Sequence, residues 1–82
     1  MVQSGAEHAV LMSPAQCRAA RAYLNWTQTE LSRRSAVGLS AIKDFEGGNR
    51  RTHASIRSQL RRTFEDAGLE FPTAHSISGQ PE

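Results

Sequence analysis

The stretch WTQTELSRRSAVGLSAIKDFEGG, residues 26–48, decides the fold of this chain. Thr27 and Glu30 stand at capping-box spacing, where a hydroxyl and a carboxylate can each satisfy the other's free backbone N–H. Trp26 precedes the cap and Leu31 occupies the fourth helical position, the spacing of a hydrophobic staple. A short helix 2 is therefore predicted over residues 28–35. Ala36-Val37-Gly38 breaks it. Ile42 and Phe45 then restart an apolar rhythm at helical spacing, which gives helix 3 over residues 39–46. Gly47-Gly48 ends that helix, because glycine accepts the left-handed backbone that helix C-termini favour.

Outward from this pair the signals continue. Upstream, Ser13-Pro14 reads as an N-cap followed by proline at the first helical position, where a missing N–H costs nothing. Helix 1 runs over residues 14–24 with Cys17, Ala20 and Leu24 on one face, and stops at Asn25. Downstream, GGNRRT is a turn-forming loop with adjacent arginines. Helix 4 should begin after Thr52 and reach about residue 67, with Ile56, Leu60, Phe64 and Ala67 forming one stripe. Gly68 is its stop. Leu69-Glu70-Phe71, before Pro72, is either a short strand or an apolar clamp onto the domain. The expected organisation is a flexible arm over residues 1–12, one domain over 13–71 and a disordered tail over 72–82. No internal repeat is present in the sequence.

Eighty-two residues suffice for one domain with a modest core and leave no room for a separate sensing or catalytic domain. The longest apolar run near the N-terminus, from Ala9 to Met12, is far too short for a membrane span, and no secretory leader is expected. One cysteine, Cys17, cannot form an internal disulfide; with no leader expected, this points to a reducing cytoplasm. The formal charge is only +2, but its distribution is uneven. All ten basic residues lie between Arg18 and Arg62 against three acids, a net +7, while the flanks hold five acids and no base. A basic middle is the footprint of a nucleic-acid surface, and equally of solvated helix faces.

Two short helices joined by a tight turn within basic surroundings match the helix-turn-helix pattern. Leu31, Val37, Ile42 and Phe45 can pack inward and set the crossing of helices 2 and 3. The outer face of helix 3 is then left to enter a major groove about as wide as a helix. The quoted stretch, with a helix before it and a basic loop plus helix after it, resembles the phage repressor and Cro-type helix-turn-helix family over roughly residues 13–71. That resemblance implies an all-α, lambda repressor-like bundle of four or five helices that binds double-stranded DNA as a homodimer. Carried over, it makes Gln28 a backbone contact at the start of helix 2. It places Leu39, Ser40, Lys43 and Asp44 near base edges with Ala41 close by. Arg50 and Arg51 become phosphate clamps, with Asn49 beside them in the same loop. Arg21 and Glu46 fall where the family often keeps a structural ion pair. Two positions depart from the family pattern. Ala36 stands at a turn position commonly held by glycine, so it either accepts a left-handed backbone or sits in an altered turn. Gly38 replaces a hydroxyl residue that would cap helix 3 better.

Other residues carry plainer roles. Trp26 fits the staple rather than a base-stacking platform, and Cys17 fits a buried stripe. Arg57, Arg61 and Arg62 read as solvated charge more than as DNA contacts, while Arg33 and Arg34 divide evenly between phosphate contact and solubility. Catalysis has little support: His8, His53 and His75 are scattered, Cys17 has no His at ligand spacing, and Gly47-Gly48 lacks the Lys-Ser or Lys-Thr of a phosphate loop. No enzyme activity, cofactor or metal is expected. The expected function is a sequence-specific transcriptional regulator, a repressor or autoregulator on a palindromic operator. Its dimer surface would be helix 4 with Leu69-Glu70-Phe71. The alternative is a protein-binding module of antitoxin or anti-activator type, favoured by Asp44 on a sparse recognition helix and by the acidic flanks.

Overall fold

The computed structural model describes residues 12–49 and 51–71; the expected arm, up to residue 11, and the tail from residue 72 lie outside them. Four helices follow in order: α1 (Pro14–Leu24), α2 (Gln28–Ser35), α3 (Leu39–Glu46) and α4 (Ala54–Asp66). Among the described residues there is no strand, and no helix long and apolar enough to cross a membrane.

The helix starts differ in chemistry. Ser13 closes a complete capping box at α1: its Oγ accepts from Gln16 N, and Gln16 Oε1 accepts from Ser13 N. At α2 only half of the expected box forms. Thr27 Oγ1 accepts from Glu30 N at 2.9 Å, but the Glu30 carboxylate turns outward to Arg33 and Arg34, each at 2.6 Å. Two guanidinium partners outbid one backbone N–H. Neither Gly38 at α3 nor His53 at α4 supplies a side-chain cap. Helix α4 starts at Ala54, and Thr52 Oγ1 donates to Asn49 O in the preceding turn.

The helix ends are more uniform. After α1, α3 and α4 the chain makes the paired bonds of a Schellman motif: Trp26 N to Arg21 O, Asn49 N to Asp44 O, and Leu69 N to Phe64 O. Gly48 and Gly68 carry the left-handed residue in two of them, with φ of 98° and 100°, and Asn25 in the third. Helix α2 ends on a single bond from Ala36 N to Ser32 O, with Ala36 itself left-handed at φ 63°. Ala36 thus takes the left-handed option rather than an altered turn. The turn is tied down by Ser32 Oγ to Val37 O, Val37 N to Ser35 Oγ, and Gln59 Nε2 of α4 to Ser35 O.

The core joins all four helices: Cys17 and Ala20 from α1, Leu31 from α2, Ile42 and Phe45 from α3, Leu60 and Phe64 from α4, with Val37 from the turn. Met12, expected as the last residue of the arm, belongs to it as well and is fully buried. Ala67 is exposed rather than part of the α4 stripe, because the helix has ended and its backbone bonds back to Phe64. Trp26 reaches across to α4, its ring stacked on Phe64 at 5.7 Å. Leu69 and Phe71 pack back on the core as a clamp, Phe71 6.0 Å from Phe64.

Left-handed backbone costs a non-glycine residue about 1–2 kcal/mol. Ala36 is exposed, so glycine there loses no packing. Ala36→Gly is therefore expected to stabilise the fold by about 1 kcal/mol in urea denaturation, net of glycine's greater unfolded-state entropy. Unchanged or reduced stability would mean that the turn holds Ala36 without strain.

Candidate nucleic-acid interface

The polar centre of the molecule is Glu46, the last residue of α3, which is 5% exposed. Arg21 of α1 grips its carboxylate along one edge, Nε to Oε2 and Nη2 to Oε1, both at 2.7 Å. Gln28 Nε2 donates to Oε1 at 3.0 Å and Cys17 Sγ to Oε2 at 3.1 Å. Arg18 Nη1 donates to the Glu46 backbone carbonyl at 2.6 Å, and Arg21 Nη1 reaches Trp26 O. One carboxylate therefore fastens α3 to α1 and to the first residue of α2. Burial pushes the Glu46 carboxyl up, but the hydrogen bonds from Arg21, Cys17 and Gln28 outweigh it and hold the group below its ordinary range. Burial raises the Cys17 thiol strongly, helped by its bond to the carboxylate, so Cys17 acts as a neutral donor.

With its inner side held by Ile42, Phe45 and Glu46, α3 presents Ser40, Lys43 and Asp44 to solvent, three residues at neighbouring positions on one helix face. Leu39 and Ala41 are half-buried, and Ala41 packs against the core. Lys43 shares a hollow with Arg18, Arg21, Thr27 and Gln28. Gln28 is committed to Glu46 through one N–H, and its amide carries a second. Beyond α3, Asn49 and Arg51 are exposed, and Asn49 Oδ1 accepts from Arg51 N at 2.8 Å in a tight turn. Arg50 lies outside the described residues.

The arginines expected as plain solvated charge fall into three groups. Arg62 is exposed. Arg61 is largely covered and bonds Glu65 at 2.8 Å. Arg57 is half-buried with its guanidinium 5.8 Å above the Phe45 ring. Arg33 and Arg34 are both paired with Glu30, and Arg34 also covers Trp26 at 4.4 Å. Sequence reasoning passed over Arg18. The signal was its three-residue spacing from Arg21, which puts both cations on the same side of α1. Among the described residues no group of three or more His, Cys, Asp or Glu is placed to hold a metal ion.

Comparison with protein families, with curated proteins and with solved structures returns no match for this chain.

Breaking one side of a buried, hydrogen-bonded ion pair costs about 3–5 kcal/mol. Glu46→Gln is expected to destabilise by about 3 kcal/mol, and Arg21→Met combined with it should be less damaging than the sum of the two. Because the folded carboxyl titrates below its unfolded value, the stability it contributes is present above about pH 4.3 and is lost as pH falls through the folded value. Urea midpoints measured between about pH 6 and 3 should therefore fall more steeply for the wild type than for Glu46→Gln. Parallel pH curves would remove Glu46 from the acid transition.

Proposed function

We propose that this chain is a sequence-specific DNA-binding regulator in which α2, the Ala36–Gly38 turn and α3 act as a helix-turn-helix. The observation that carries it is the division of α3 into a fixed inner side, ending in the Glu46 network, and a solvent face of Ser40, Lys43 and Asp44. A helix held from behind and polar in front is what major-groove reading needs. Lys43 reaches guanine or phosphate, Ser40 serves as donor or acceptor, and Leu39 meets a thymine methyl group. Asp44 accepts from a cytosine amino group. Ala41, half-buried, contributes close approach more than contact. Gln28, with its second amide N–H, and the loop of Asn49, Arg50 and Arg51 hold the phosphates on either side. Because so few side chains reach bases, part of the selectivity comes from DNA shape.

A domain of this size reads only a few base pairs, so two copies on a two-fold site supply the specificity. The end of α4 with Leu69 and Phe71 is the proposed dimer face; it adjoins Tyr23, which is 78% exposed. That same apolar face favours a second reading, a module that docks a different protein. Repression or autoregulation is the form of control this implies, with no catalytic step.

Selection from a randomised duplex library tests the proposal. A two-fold symmetric site should be enriched, whereas retention without any sequence preference would reject operator binding and turn attention to a protein partner. Replacing Arg50 and Arg51 together by Ala should weaken all sequences alike and flatten the salt dependence by about 1–2 in log–log slope. Lys43→Ala should instead change which bases are preferred. An unchanged preference would remove α3 as the reader.

A further inference from the structure

A pocket of about 230 Å³ is lined by Pro14, Phe45, Gly48, Asn49 and Arg57. It is smaller than the roughly 300–1,000 Å³ of ordinary small-molecule sites, and suits an ion-sized group. Arg57 is its one charged wall. Its Nε is shielded from solvent and has no acceptor within reach among the described residues. No carboxylate pairs with its guanidinium among those residues, and its partner is the Phe45 ring. Arg21 supplies the internal comparison. There the Nε–Nη2 edge is filled by the two oxygens of Glu46. In Arg57 the same fork, built for two oxygens in a plane, lacks its complement.

We infer that the Arg57 pocket binds a phosphate group, taken first by the Nη groups and then by Nε after a small rotation about the terminal side-chain torsions. Carboxylate and phosphate both fit an arginine edge; the surroundings favour phosphate. Besides Arg57, Arg51 and Arg62 have no ion-pair partner among the described residues, while Arg61 is paired with Glu65; uncompensated positive charge of this kind holds a multiply charged oxyanion better than a single carboxylate. Asn49 adds a polar side chain at the rim. The phosphate comes either from a DNA backbone, which rests on the function proposed above, or from the free ion, which does not.

The test is NMR of the full chain, following the Arg57 Nε–H resonance during titration with inorganic phosphate. A saturable shift is expected that sodium chloride at matched ionic strength does not produce. Arg57→Lys, which keeps the charge and loses the fork, should weaken phosphate binding by about tenfold with the amide spectrum otherwise preserved. An identical response to chloride, or undiminished binding by Arg57→Lys, would overturn the site. Acetate binding as tightly as phosphate would overturn the phosphate assignment in favour of an acidic peptide. Mixed-sequence duplex then separates the sources. Displacement of phosphate with the same resonance moving identifies a backbone phosphate. Duplex bound with phosphate still in place identifies the free ion and leaves DNA binding intact. Phosphate bound by a protein that ignores duplex keeps the site and refutes the DNA-binding function.

Discussion

The rest of the structure depends on a carboxylate that is almost out of water. Glu46 keeps its charge in the interior because three side chains, Arg21, Gln28 and Cys17, bond its carboxylate, and each belongs to an element that must be positioned. Desolvation of a single unpaired carboxylate would cost several kcal/mol, so no packing of α3 that abandons these partners is competitive. The consequence is directional. Arg21 and Cys17 fix the end of α3 on α1, and Gln28 fixes it on the start of α2. The apolar side of α3 is then closed over Ile42 and Phe45. What remains outside is the face that the functional proposal uses.

Small domains hold limited apolar area, so the helix ends matter. Three of the four end in Schellman motifs that bond the last carbonyls, and after α1 and α4 the motif also brings an apolar residue, Trp26 and Leu69, back onto the core. The fourth, at Ala36, is the strained one, and it lies in the turn between α2 and α3. The bonds from Ser32, Ser35 and Gln59 around that turn hold a conformation that alanine alone would leave. Strain next to a proposed reading helix sets its angle at a stability cost that a glycine would avoid.

The bounds of α1, α2 and α3 were legible because their signals are local: Ser13-Pro14, Asn25, Thr27 and Gly47-Gly48 each act within one turn of their own position. The ion pair between Arg21 and Glu46 was legible only through the resemblance, since nothing in a linear spacing of 25 residues implies contact. Met12 was hidden because its burial is decided by the helices that follow it, which the short apolar run it ends does not reveal. The Thr27–Glu30 box half failed because Arg33 and Arg34 compete for the carboxylate, a choice that cap spacing does not rank. Arg57 looked like one more surface charge on a basic helix; that Phe45 would cover it is a fact of α3 packing, invisible in α4 alone. The residues of the candidate interface were nameable, while the distinction between exposed Ser40, Lys43 and Asp44 and half-buried Leu39 and Ala41 needed the fold.

The central claim is that the Glu46 network holds α3 so that its outer face meets DNA. Amide chemical-shift mapping of the full chain with a duplex at low salt addresses it most directly. The account predicts perturbation at Ser40, Lys43 and Asp44, at Gln28, and at Asn49 and Arg51, with the Glu46 partners on α1 unmoved apart from Arg18 at the rim. A response confined to Tyr23, Leu69 and Phe71 with α3 silent, or no response to duplex at all, would contradict it.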